Sequence, residues 1–342
     1  MGNTIALMYD FRMAKLRSEL LMNIRKYFID KDYLEVSTPT LSPYLIPEPT
    51  IKTFRTEFIN PFMERTSLFM IPSPEIFMKK LLAAGSGSIF QISQCFRNAE
   101  QLGDVHNPEF TMLEYYTVNA DEKDSIDITH DMIKHAVPST LDEEWMHNEP
   151  LVISMHEAMM KACAVDMDKA EDIDYLRKEA VRLSLQYTED ESWDDTFNRI
   201  FLTYTEPWLP KDREVYLTDY PDKIRCLARK YSDKPCRKRW EMYIKGIEIA
   251  NCYDEETDKE ETRRYFEDEQ ALLEKERTET GDEISPSDPD FPSLTIPKSS
   301  GGAMGLDRLL AVSLGLETIE PLLLFPLSDM LHTVKANSSN QR

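Results

Sequence analysis

Arg97 opens a 21-residue stretch, FRNAEQLGDVHNPEFTMLEYY, that closes on Glu114 and Tyr116. A guanidinium fork matches phosphate oxygens, so Arg97 is suited to sit over a phosphate. Read as strand, loop and strand, the stretch puts Phe110, Met112, Glu114 and Tyr116 on one face, since strand side chains alternate. That face spans about 20 Å at ~3.4 Å per residue. One end could stack a base and the other could hold a small polar molecule. A second stretch, GGAMGLDRLL, runs from Gly301 to Leu310. Its small residues let backbone approach a ligand. Arg308 falls in the first turn of the helix that follows, where the dipole disfavours a cation. It therefore calls for an anion, either Asp307 or a bound phosphate. A third stretch, WEMYIKGIEIANCYDEE, carries Glu241 and Glu248. Buried carboxylates need a partner or a cation, and Mg²⁺ on nucleotide phosphates often takes one or two of them. Their odd spacing places them on opposite faces of a regular strand. A bulge or kink at Gly246 would bring them together.

These residues must be positioned by surrounding elements. Residues 8–31 read as an amphipathic helix, with Met13, Leu16, Leu20, Ile24, Tyr27 and Phe28 at three- and four-residue steps. A short strand follows at 33–36 and runs into Pro39. Residues 42–50 are a proline-rich loop. Ser73-Pro74-Glu75 precedes a helix over 76–84. Residues 88–96 and 109–118 form an antiparallel pair. Residues 120–235 are acidic and mostly helical, with few positions that suggest chemistry. The pattern predicts a buried strand over 240–253, a charged helix over 257–277, loop from Gly281 to Gly302, and a last helix near Leu306. That order suits an α+β layout around an antiparallel sheet, within one domain spanning 1–342.

The chain has 342 residues and a formal net charge of -22. Such a field repels polyanions, so a large nucleic-acid partner is disfavoured. The one dense basic cluster, KPCRKR (Lys234–Arg239), reads as a surface loop paired with nearby acids. Five scattered cysteines without C-x-x-C point to free thiols in a reducing cytoplasm. The first residues lack a signal-peptide pattern, and no apolar run approaches membrane-spanning length.

Taken in order, YLEVSTPTL, FRN…HNPEFTMLEYY and GAMGLDRLL resemble the three signature motifs of class II aminoacyl-tRNA synthetases. SPEIFMKKLL and KGIEIAN are similar to the lysyl-tRNA synthetase branch. Within it the chain most resembles the short paralogue family that attaches lysine or β-lysine to elongation factor P. The resemblance implies an antiparallel sheet flanked by helices, a homodimer, and no anticodon-binding domain. It implies catalytic roles for Arg97 on the α-phosphate and Arg308 on the γ-phosphate of ATP, with Phe110 stacked on adenine. Glu100, Asn107, Ile249 and Gly305 would be further nucleotide contacts, and Glu241 and Glu248 would lie beside Mg-ATP. Ser73, Glu75, Glu114, Tyr116, Asn251, Tyr253, Glu255 and Ala303 would line an acid-rich pocket for a substrate with two ammonium groups. Ala303 stands where lysyl-tRNA synthetases usually carry glycine, and its methyl would crowd an α-amino group. The family departs from this chain at Ala99, at a loop one residue longer, and at Asp104-Val105, where relatives carry an arginine. The implied reaction is formation of an acyl-adenylate followed by transfer to a lysine of elongation factor P. Two alternatives are activation for another acceptor (a tRNA or a carrier protein) and a catalytically silent nucleotide- or amino-acid-binding relative.

Overall fold

A computed structural model describes residues 11–99, 103–281 and 283–331. Eleven strands follow in chain order: β1 (Leu34–Glu35), β2 (Leu41–Ser42), β3 (Arg55–Phe58), β4 (Thr66–Met70), β5 (Ile89–Phe96), β6 (Glu109–Val118), β7 (Leu151–Ser154), β8 (Glu214–Pro221), β9 (Cys236–Ile244), β10 (Ile247–Asp254) and β11 (Ser299–Gly305). The helices are α1 (Phe11–Asp30), α2 (Glu75–Ala83), α3 (Glu122–Ala136), α4 (Met155–Cys163), α5 (Ile173–Arg182), α6 (Trp193–Ile200), α7 (Glu206–Trp208), α8 (Lys259–Thr280) and α9 (Leu306–Ser313).

Eight strands form one sheet in the order β1-β5-β6-β11-β10-β9-β8-β7, and β2, β4 and β3 form a small second sheet. The large sheet is antiparallel through its six central strands, β5 to β8. Parallel pairs, β1 with β5 and β7 with β8, lie at its two edges. The α+β expectation holds, with those parallel edges as its refinement. One face of the sheet carries the main core. Phe90, Leu113, Tyr115, Trp240, Met242, Ala250, Cys252 and Met304 pack there against α1, α3 and α9. On α1, Leu20, Ile24, Tyr27 and Phe28 are buried, as their spacing requires. Asp121 caps α3 through a reciprocal capping box with Asp124. The stretch from 120 to 235 also supplies β7 and β8, which extend the sheet over a second apolar cluster that includes Ile153, Leu176, Phe197 and Tyr243.

Three sequence expectations change. Residues 240–253 are not one strand but part of a hairpin, β9–β10, turning at Lys245-Gly246, where φ is +55° and +80°. Paired positive φ values suit a tight hairpin, and glycine adopts one without strain. Residues 299–302 are not loop: they begin β11, a strand near the centre of the sheet. Its small residues lack strand propensity, but Tyr116 leaves no room for a side chain at Gly301, where a Cβ would lie 2.2 Å from its ring. The basic cluster is likewise mostly strand, because Cys236–Arg239 begin β9. It does pair with acids, Lys234 with Asp219 at 2.7 Å and Arg237 with Asp222 at 2.9 Å. Among the described residues, no helix is long and apolar enough to cross a membrane.

Candidate active site

The face of the sheet opposite the main core gathers the polar side chains. Strand register fixes its rows. Gln91, Glu114, Ala303, Asn251 and Glu241 stand side by side across β5, β6, β11, β10 and β9. Next to them, Ile89, Tyr116, Gly301, Tyr253 and Arg239 form a parallel row. Toward the other strand ends lie Met112 beside Gly305, and then Phe110. Phe110, Glu114 and Tyr116 thus share a face, as their alternation predicted.

Glu248 joins the same face through two devices. The hairpin places it opposite Tyr243, two residues from Glu241. The register then slips between Glu248 and Ala250, so Ile249 forms a β-bulge. That extra residue restores parity and lets Glu248 and Asn251, three apart, point the same way. The break at Gly246 and the bulge together resolve the odd spacing of the two acids.

At one end of this face, α2 meets the strands. Ser73 Oγ donates to Glu114 Oε2 at 2.7 Å and accepts from the Glu75 backbone N–H at 3.0 Å. Tyr116 Oη donates to Glu114 Oε1 at 2.6 Å. Glu255 lies just beyond β10 and is buried. Burial pushes the Glu114 carboxyl up to about 7, aided by the Glu75 charge. Burial likewise pushes Glu255 up to about 8, even though the Lys79 ammonium opposes the shift. Asn251 Nδ2 donates to Tyr253 Oη at 3.4 Å.

At the other end stand the arginines. The Arg97 guanidinium lies 5.2 Å from the Phe110 ring centroid, and its buried Nε has no hydrogen-bond partner. Arg308 donates from Nε to the Val105 carbonyl at 3.1 Å and from Nη1 to the Glu248 carbonyl at 2.9 Å. Asp307 is not its counter-anion. It accepts from the Thr111 backbone N–H at 2.7 Å and pairs with Arg17 at 3.4 Å, pointing into the protein. Among the described residues, no carboxylate forms an ion pair with Arg308 or Arg97, which leaves both cations available to an anion. Burial raises Glu248 to about 7, with the Glu241 charge adding to it and Arg308, Arg239 and Arg97 pulling it back. A single carboxylate thus feels both arginines, which come from distant parts of the sequence. Asn107 donates to the Glu109 carbonyl at 2.5 Å and closes the turn before β6. Glu100 lies outside the described residues.

The two acids proposed for a metal differ. Glu241 is fully engaged: its Oε2 accepts from Tyr220 at 2.6 Å and Tyr243 at 2.7 Å, and its Oε1 from Arg239 at 2.5 Å. Among the described residues, no hydrogen bond or ion pair reaches the Glu248 carboxylate. Glu248 therefore fits a divalent cation well, with Glu241 behind it. Gly305 presents its backbone to this end of the face, and a Cβ there would make only ordinary contact with Arg308.

The sequence reading missed Lys79, Arg239 and Glu48. Lys79 is 1% exposed between Glu75 and Glu255. Arg239 lies over the Tyr220 and Tyr253 rings, 4.7 and 5.7 Å from their centroids. Burial lifts Glu48, in the proline-rich loop, to about 7, with the Glu75 charge adding to it. For Glu48 the available signal was a lone acid in a proline-rich loop; Lys79, one of two adjacent lysines, and Arg239, one of a basic run, carried none.

The sequence model of tRNA synthetases class II (D, K and N) matches residues 11–329. The chain belongs to this family. Class II synthetase relatives of similar length include proteins named elongation factor P--(R)-beta-lysine ligase. The one from Hamiltonella defensa subsp. Acyrthosiphon pisum is 34% identical over 317 residues, covering 91% of this chain and 93% of its own. That from Yersinia enterocolitica is also 34% identical over 317 residues, with the same coverage. The Vibrio atlanticus protein is 32% identical over 324 residues, covering 92% and 95%.

Proposed function

We propose that the protein is an ATP-dependent ligase that activates lysine or β-lysine and transfers it to a lysine side chain of elongation factor P. One observation carries the reading. Among the described residues, a single sheet face holds two arginines with no ion-paired carboxylate at one end and a cluster of buried carboxylates at the other. That is the charge pattern of a nucleotide triphosphate beside a diamino acid. The names of the relatives supply the acceptor.

In this reading Glu75, Glu114 and Glu255 receive the ammonium groups, with Ser73, Tyr116, Asn251 and Tyr253 around them. Ala303, between Glu114 and Asn251 in the row, limits the space beside the reacting end. The substrate carboxylate attacks the α-phosphorus, and the bond to the β-phosphate oxygen breaks, releasing pyrophosphate. Arg97 holds the α-phosphate and Arg308 the γ-phosphate, while Phe110 stacks on the base and Gly305, Asn107 and Ile249 border it. Preorganised positioning and charge neutralisation lower the barrier, and no side-chain nucleophile is required. Mg²⁺, when bound, offsets phosphate charge, and Glu248 with Glu241 behind it would hold it. A lysine amine of the acceptor then displaces AMP from the acyl carbon.

Residues 120–235 belong to the same catalytic unit in this reading, since α3 packs on the main core and β8 pairs with β9. We further assign the protein to the cytoplasm and to a homodimer. Phe11, Met22, Ile29, Leu34 and Leu41 leave apolar surface exposed on α1, β1 and β2. The test is pyrophosphate exchange with lysine and both β-lysine enantiomers, followed by mass measurement of elongation factor P and of tRNA after incubation. Exchange with a diamino acid and a heavier factor are expected. Exchange with none of them, or aminoacylated tRNA with unchanged factor, overturns the reading.

A further inference from the structure

Lys79 lies on α2 one turn after Glu75, is 1% exposed, and sits inside the acid cluster rather than beside it. Its ammonium is 2.5 Å from Glu75 Oε1, 2.6 Å from Glu255 Oε2 and 5.9 Å from the Tyr253 ring centroid. The next residue, Lys80, turns away to Asp288, so the two adjacent lysines have different jobs. Glu75 comes from α2 and Glu255 from the end of β10, so one cation ties two separate elements. Glu75 is also joined to Glu114 through Ser73, and Glu114 to Tyr116.

A buried ammonium is costly unless paired, and here the pairing is one-sided. Two carboxylates, Glu75 and Glu255, pair with the one ammonium; Glu114 and Glu48 add acid to the cluster, and Arg97 and Arg239 are the other cations near it. Once Glu75, Glu114 and Glu255 are ionised, Lys79 balances only part of their charge, which leaves room for a cationic substrate. We propose that Lys79 is a positioning residue, holding Glu75 and Glu255 apart at the spacing a diamino acid needs and keeping enough carboxylate ionised to bind it. This rests on the proposed function. Burial alone would lower the Lys79 ammonium, but Glu255 and Glu75 outweigh it and hold it above its ordinary value. It is therefore a fixed cation at every working pH, and its field holds down the carboxyls of Glu48, Glu114 and Glu255.

The experiment is pyrophosphate exchange by wild type, K79M and K79R from pH 6 to 9, with the KM for ATP and for the amino acid measured separately. For K79M, the amino-acid KM is expected to rise at least about tenfold while the ATP KM stays within about threefold. The acid limb of kcat/KM for the amino acid should also move up by about one unit, because an opposing charge is lost. K79R keeps the charge but not the compact geometry. It should raise the amino-acid KM with the acid limb in place, and this serves if K79M does not fold. An unmoved acid limb in K79M, equal changes in both KM values, or an unchanged amino-acid KM in K79R overturns the proposal alone. Absence of wild-type exchange with every diamino acid overturns it together with the proposed function.

Discussion

Among the described residues, the Arg97 guanidinium rests on Phe110 with its Nε unpaired, and Arg308 bonds only to carbonyl oxygens. Cations held without carboxylates keep their charge for a ligand. R97A and R308A are each expected to lower kcat/KM for exchange by about 10²–10³-fold, and R97K should recover little of it because a point charge cannot replace the fork. At the other end, Glu114 and Glu255 ionise near 7 and 8, against 4.5 ordinarily. Ammonium groups bind the ionised form, so amino-acid binding should strengthen as pH rises from 6 to 8 and should release protons. Calorimetry in buffers of different ionisation enthalpy reads that release directly. Residue types and spacing had exposed most of these groups, Arg97, Glu114 and Arg308 among them. Lys79 was not legible, because nothing in KK distinguishes the lysine that turns inward.

The elements explain what the residues alone could not. Glu241 and Glu248 looked badly spaced as members of one strand. They face together because the chain turns at Lys245-Gly246 and slips register at Ile249. Turn chemistry was readable at Lys-Gly, but a bulge depends on partner strands and leaves no local mark. Gly246→Ala should destabilise the protein by about 1 kcal/mol through backbone strain, measured by chemical denaturation. β11 was harder to see, since SSGGAMG has no strand propensity and its pairing is imposed by β6 and β10. Gly301→Ala tests why it is built so. The added methyl would meet the Tyr116 ring at 2.2 Å and Glu255 Oε1 at 2.6 Å. The amino-acid KM should rise far more than the ATP KM, and stability should fall by about 1–3 kcal/mol.

For the molecule as a whole, charge and shape set the outer limits. A net charge of -22 disfavours a tRNA partner, and the apolar residues exposed on α1, β1 and β2 suit a second copy. For the proposed homodimer, replacing Leu34 and Leu41 together by glutamate is expected to shift the sedimentation coefficient from dimer to monomer. The acid cluster also sets a stability balance. Between about pH 4.5 and 8 the folded chain keeps protons on Glu114 and Glu255 that the unfolded chain has released. The folded form binds more protons in that window, so these groups contribute less to stability as pH rises through it. A bound diamino acid should therefore raise the melting temperature more at pH 8 than at pH 6. The same strain reaches beyond the test tube. Molecules without their amino acid open more often and are cut sooner by proteases, so the lifetime of this protein in a cell should follow the supply of the compound it consumes.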